Sequence, residues 1–258
     1  MKNRAVMFAL PGTSSDEAAK TLRRIDELFA NRFGNMRRAW AYTSTGGRRK
    51  LEQTSKPVQG PKEALDGLRR DGITHVAVKS LHFATGMEYK EMKDLVQDSR
   101  VAFERIVISA PLLDTPADFE RTVRCLLLSL PPGRDALLLV AHGSRQPEAL
   151  AAYEAAAAVC RRFERRVLLG SLMSRPDLGD VVRECKSARI ERLVLAPLMI
   201  AAGLSARNEI CGDGPDSWRT GLEREGIGCV PLIKGLGDHD DVVSIWLDDI
   251  ERMMAGLQ

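Results

Sequence analysis

LVLAPLMIAAGLS, residues 193–205, can be laid over VAVKSLHFATGME, residues 76–88, at one constant offset, and that match decides the fold. Leu198 falls on Leu81 and Gly203 on Gly86, and in both stretches an apolar run precedes the glycine. The halves of the chain also open alike, each with an apolar run and a small-residue turn: ALPGTSS at 9–15 and VAHGSRQ at 140–146. A duplicated supersecondary unit is the reading that accounts for both pairs.

Outward from these stretches, short runs rich in Val, Ile and Leu recur at 5–10, 75–81, 105–113, 136–141, 166–172, 192–200 and 229–233. They are apolar on both sides, as strands of a parallel sheet covered on both faces must be. Between them lie amphipathic stretches at 15–33, 60–72, 116–130, 147–163 and 239–257. The alternation predicts an α/β protein of two pseudo-symmetric Rossmann-like domains with parallel sheets. Pro131-Pro132-Gly133 marks the boundary, giving domains 1–130 and 131–258, with the final helix free to pack back on the first. At 258 residues the chain accommodates two units of about 125 residues each.

Composition narrows the function classes. With 44% apolar and 28% charged residues the chain is globular, not disordered. Its 38 basic and 35 acidic residues interleave, so no one-signed face is implied and a nucleic-acid partner is not expected. The densest basic run, GGRRK at 46–50, reads as a solvated loop, with an anion-binding rim as the alternative. Five scattered cysteines without a C-x-x-C pair indicate a reducing compartment, hence the cytoplasm, and argue against a zinc ribbon or a disulfide frame. The opening MKNRAVMFALPG reads as a strand and not a signal peptide, and no apolar run approaches the ~18 residues of a membrane span.

Three places carry candidate chemistry. His142 directly follows an apolar run and precedes Gly-Ser, at the carboxyl edge of a strand where a following helix N-terminus favours the neutral imidazole. That form binds a metal or accepts a proton; closing off the strand through a backbone hydrogen bond is the bland alternative. LHFATGMEYKEM at 81–92 sets His82 and Glu88 six residues apart across a glycine, a spacing that suits a proton-relay pair. A glutamate that merely favours a helix start is the alternative there. PGTSS at 11–15 offers N–H groups and hydroxyls to a carboxylate or phosphate, or caps a helix through Ser14 or Ser15. Facing sheets would gather Pro11, Gly12, Thr13, His82, Glu88, His142, Gly143 and Ser205 at one central cleft. The Gly- and Asp-rich 201–218 is a further lining loop, HDD at 239–241 reads as helix capping, His75 has no assigned role, and Cys211 and Met199 read as core fillers.

Together these residues resemble the class II tetrapyrrole chelatases, most closely the anaerobic cobalt chelatases, CbiK, that act on sirohydrochlorin. The resemblance runs through PGTS at 11–14, AYTS at 41–44, SLHFATGMEY at 80–89, PLL at 111–113, AHG at 141–143, PLMIAAG at 197–203, GDGPDSW at 212–218 and GLGD at 235–238. It implies two halves enclosing a tetrapyrrole, and insertion of Co2+, or of Fe2+ or Ni2+ as in relatives, in anaerobic cobalamin biosynthesis. The divalent ion is then a substrate, and no organic cofactor is implied. By resemblance His142 holds the ion and accepts a proton, Glu88 is the assisting carboxylate, and His82 faces the macrocycle. Pro11, Gly12, Thr13, Ser14, Gly86, Met173, Gly203 and Ser205 are expected to bind the substrate.

Two positions depart from the family pattern. Its second metal histidine, two residues after the glycine of an A-G-x-H loop, is Ser205 here, and its additional glutamate before S-x-P is Met173. Serine is a poor ligand and methionine a soft one, so a tight His-His-Glu site cannot form from these positions. A paralogue that binds or delivers a tetrapyrrole without metallating it is therefore the rival to a chelatase. A homo-oligomer stays open.

Overall fold

The structure, a computed structural model, describes residues 3–12, 15–52, 58–133 and 135–257. It contains two four-stranded parallel sheets of the same strand order. In the first, β1 (Arg4–Leu10), β2 (Arg37–Tyr42), β3 (His75–Ser80) and β4 (Arg105–Ile108) lie in the order β2-β1-β3-β4. In the second, β5 (Ala136–Ala141), β6 (Val167–Ser171), β7 (Arg192–Leu198) and β8 (Gly228–Pro231) lie in the order β6-β5-β7-β8. In each, the chain runs outward from the first strand on one side and then crosses to the other. The carboxyl ends of β1 with β3, and of β5 with β7, thus flank a switch point of the kind where ligands bind in open α/β sheets.

The repeat read from the sequence is present in the hydrogen-bond ladder. Ser80 pairs with Ala9 and Pro197 with Val140, the register that the sequence match demands. Beyond the strand ends, Thr43 N donates to Leu10 O at 2.9 Å and Ser44 N to Pro11 O at 3.0 Å. In the second sheet Leu172 N donates to Ala141 O at 3.0 Å and Met173 N to His142 O at 3.1 Å. His142 therefore occupies the backbone position of Pro11, and Met173 that of Ser44.

Two compact units result. One comprises Met1–Ser14, Arg23–Thr115 and Val243–Gln258; the other comprises Ser15–Leu22 and Pro116–Val242. In the first unit Ala5, Met7 and Ala9 of β1 pack with Leu65 and Leu68 of α3 (Pro61–Arg70) and with Met92 and Val96 of α4 (Met87–Asp98). On the opposite face Phe8 stacks on Trp40 at 4.6 Å and meets the edge of Phe29 at 5.7 Å. Burial on both faces is why β1 reads as a continuous apolar run. The closing helix, α9 (Asp240–Ala255), is tied to this unit by Asp249, which accepts from the buried Lys79 at 2.7 Å. A buried ammonium needs such a partner.

In the second unit Trp218, heading α8 (Trp218–Arg224), lies so close over β6 that a Cβ on Gly170 would come within 2.4 Å of its ring. Leu138, Val140, Leu193 and Leu195 complete that core.

Two expectations need correction, and one strand was not read at all. RRAWAY at 37–42 is a strand that the hydrophobic pattern did not signal. It is an edge strand whose Arg37 and Arg38 pair with Asp71 at 2.7 Å and Asp26 at 2.6 Å, and cationic edges are how sheets avoid further pairing. GGRRK falls within α2 (Thr45–Glu52), not in a loop. Part of 201–218 forms a π-helical turn, Ser205–Ile210, in which Cys211 N reaches back to Ala206 O at 2.9 Å. Among the described residues no helix is long and apolar enough to cross a membrane.

Candidate functional site

In the first unit three segments meet at the carboxyl end of the sheet. AYTS carries Thr43 and Ser44 just past β2, SLH carries His82 just past β3, and Gly86 opens α4 with Glu88 in its first turn. Their side chains form one network around Thr43. Its Oγ1 lies 2.9 Å from His82 Nε2, 3.2 Å from Glu88 Oε2 and 3.2 Å from Leu10 O. On the other side of the imidazole, Ser80 Oγ lies 3.0 Å from His82 Nδ1 and accepts the His82 backbone N–H at 3.3 Å. Tyr89 packs against the imidazole at 6.0 Å between ring centroids and donates its hydroxyl to Ser109 O at 3.2 Å.

Burial sets the protonation states. His82 is only 4% exposed, and loss of solvent lowers its pKa to about 4, so at neutral pH the imidazole is uncharged. Glu88 is half-buried; desolvation raises its pKa, hydrogen bonds from Thr43 and Ser44 oppose the rise, and the nearby Glu91 adds to it. A carboxyl pushed toward its neutral form beside a neutral imidazole is suited to exchanging protons.

His82 also makes a pH-dependent contribution to stability. Between pH 6.5 and about 4 the unfolded chain takes up a proton that the folded imidazole refuses, so stability is held above that window and lost as pH falls through it. The loss is about 3 kcal/mol. His82→Gln should flatten this part of the profile when urea unfolding is measured at pH 7 and pH 4; an unchanged slope would contradict the buried neutral ring.

The second unit presents a different edge. His142 follows β5 and is exposed. Gly143 has φ +82°, and a Cβ there would fall 1.8 Å from Ser171 Oγ, so only glycine lets the chain turn at this point. Burial drives the pKa of Tyr153 to about 12, a rise that the Gly143 backbone opposes. Met173, 42% exposed, follows β6, and Gly203 and Ser205 follow β7, Ser205 heading the π-helical turn. His142 and Met173 thus stand just past the ends of the adjacent strands β5 and β6, and Ser205 heads the turn that comes seven residues after β7, the strand on the other side of β5.

Burial raises the Cys185 and Cys211 thiols to about 11 and the Cys229 thiol to about 12, so without a metal they stay protonated at neutral pH. Among the described residues no group of three or more His, Cys, Asp and Glu side chains is arranged to hold a metal ion.

Of the other anticipated residues, Pro11 is exposed and Gly12 turns the chain at φ +121°. Thr13 and Ser14 lie outside the described residues. Ser15 caps the first helix, α1 (Asp16–Phe33), accepting from Ala18 N at 3.1 Å. Sequence reasoning assigned no role to Thr43 or Ser44. The signal was AYTS at the end of a strand that hydrophobic periodicity could not see.

Comparison with known proteins identifies the family. A profile of the cobalt chelatase family, CbiK, matches residues 4–255. The sirohydrochlorin cobaltochelatase CbiKC of Nitratidesulfovibrio vulgaris is 32% identical over 262 residues, covering 100% of this chain and 93% of its own. The sirohydrochlorin cobaltochelatase of Salmonella typhimurium is 29% identical over 219 residues, 83% of this chain and 82% of its own. Among solved structures, SirB from Bacillus subtilis with Fe3+ superposes with a TM-score of 0.64 at 15% identity, covering 98% of this chain and 96% of that one. The cobalt complex of the sirohydrochlorin chelatase SirB from Bacillus subtilis subspecies spizizenii gives 0.60 at 12% identity, covering 97% and 95%. At these identities the two structures establish the fold, and the profile and sequence relatives establish the lineage: the chain belongs to the CbiK cobalt chelatase family.

Proposed function

We propose that the protein inserts a divalent metal ion, Co2+ foremost and Fe2+ or Ni2+ as alternatives, into sirohydrochlorin, in the cytoplasm and within anaerobic cobalamin biosynthesis. The ion is a substrate and no organic cofactor takes part; nucleic acid and membrane are not partners, and a homo-oligomer stays open. Residues 1–130 and 131–258 are taken as the two halves of the repeat. The observation that carries the reading is the Thr43-centred network, in a chain matched to the cobalt chelatase family over residues 4–255. It keeps an uncharged imidazole and a carboxyl that tends toward neutrality within one hydroxyl of each other.

The reaction replaces two pyrrole N–H protons with one M2+ ion, so two protons must leave as the metal enters. In this reading His142 holds the incoming ion on its bare ring nitrogen and, once the ion has passed to the ring, takes one proton on that freed nitrogen, while Glu88 takes the other. His82, with both ring nitrogens hydrogen-bonded, acts on Glu88 through Thr43. Pro11, Gly12, Thr13, Ser14, Gly86, Met173, Gly203 and Ser205 complete the substrate-binding set. With Met173 and Ser205 in place of harder ligands the ion is held loosely, which suits an enzyme that must surrender it to the ring.

Those two residues also favour a second reading, a tetrapyrrole carrier. Metallation followed by absorbance separates the two. Protein with sirohydrochlorin and Co2+ should convert the metal-free spectrum to the metallated one faster than the uncatalysed mixture. No excess rate with Co2+, Fe2+ or Ni2+, together with a stable protein-bound tetrapyrrole spectrum, would leave the carrier.

A further inference from the structure

We propose that Thr43 is a positioning residue for proton transfer at Glu88, a hydroxyl that reverses its donor direction as the carboxyl gains or loses a proton and so keeps every buried partner satisfied in both states. The inference rests on Glu88 being the carboxyl that takes up a proton during metallation.

A hydroxyl has one proton to donate and two lone pairs with which to accept. Thr43 Oγ1 has three neighbours in range, at 2.9, 3.2 and 3.2 Å, and two of them, Leu10 O and an ionised Glu88, can only accept. The third, His82 Nε2, is fixed from behind. Ser80 Oγ accepts the His82 backbone N–H, and the acceptor placed within range of its own proton is Nδ1, so that proton is satisfied only if Ser80 donates there. Nδ1 is then the bare nitrogen, and Nε2 carries the ring proton and donates to Thr43.

With that tautomer both charge states of Glu88 are complete. When the carboxyl is ionised, Thr43 accepts from His82 Nε2–H and donates to Glu88 Oε2, a charge-assisted bond. When Glu88 has taken a proton, its O–H donates to Thr43 Oγ1 and the threonine proton swings to Leu10 O. The proton arriving from the macrocycle stays on Glu88 Oε2 and breaks no ring N–H; only a hydroxyl rotates. Neither state strands a buried donor or acceptor, whose loss would be costly. The titratable groups acting on Glu88 are Glu91 on its own helix and, across Thr43, the neutral His82; Tyr89 and Asp114 act on each other beyond the ring.

The test is the pH profile of metallation in Thr43→Val and Thr43→Ser. In the valine variant ionised Glu88 loses a donor, so the acidic limb of kcat should move up by about one pH unit, with kcat at neutral pH falling about tenfold and KM for Co2+ unchanged. Serine, which keeps the hydroxyl, should restore the wild-type limb. A uniform loss of kcat with an unmoved limb, or a serine variant behaving like valine, would overturn the role. Should Thr43→Val fail to fold, 15N NMR of His82 in the wild-type protein gives an independent reading: the Nε2–H tautomer is required, and Nδ1–H would refute the switch. Absence of wild-type metallation would instead remove the proposed function, while the tautomer would still report on the hydrogen-bond arrangement.

Discussion

His142→Ala should bring metallation of sirohydrochlorin by Co2+ down to the uncatalysed rate, a loss of at least about a hundredfold, the scale of a removed general base. Because His142 is exposed and sits past the last ladder pair of β5, the substitution should leave the thermal unfolding midpoint nearly unchanged. Its backbone role, accepting from Met173 N at 3.1 Å, needs no imidazole. Absorbance-monitored initial rates beside circular-dichroism melts would measure both effects. A variant that keeps more than a tenth of the wild-type rate would show that the ion is held elsewhere.

The second large effect is a gain. Met173→Glu combined with Ser205→His should tighten Co2+ binding by about a hundredfold, as two hard or borderline ligands join His142. The structural ground is that the three residues follow adjacent strands, with Met173 and His142 joined directly by a backbone hydrogen bond. Calorimetric titration of the double variant and the parent with Co2+ decides it. Unchanged affinity would mean that the three side chains do not converge on one ion. Turnover of the double variant should fall as affinity rises, since a firmly held ion is surrendered slowly to the ring.

These two experiments concern residues legible in the sequence, and the contrast with Thr43 is instructive. His142 stands at the end of ALLLVA, a run apolar on both faces, so its place at a strand end follows from periodicity alone. His82 and Glu88 were likewise visible as a pair across a glycine turn. Thr43 was not. It belongs to an edge strand whose arginines break the apolar pattern, and its histidine partner is 39 residues away in the chain.

By itself the sequence determined the α/β class, the internal repeat and the carboxyl-edge location of His142. Each is encoded by residue type and spacing, because burial on both faces of a strand demands an unbroken apolar run. The register between strands distant in sequence was left to the tertiary structure. It put one threonine hydroxyl within reach of a buried imidazole, a half-buried carboxyl and a backbone carbonyl. It also removed the solvent that would have kept His82 near its ordinary pKa. Desolvation and hydrogen-bond partnership are properties of assembled neighbours, and no local pattern carries them.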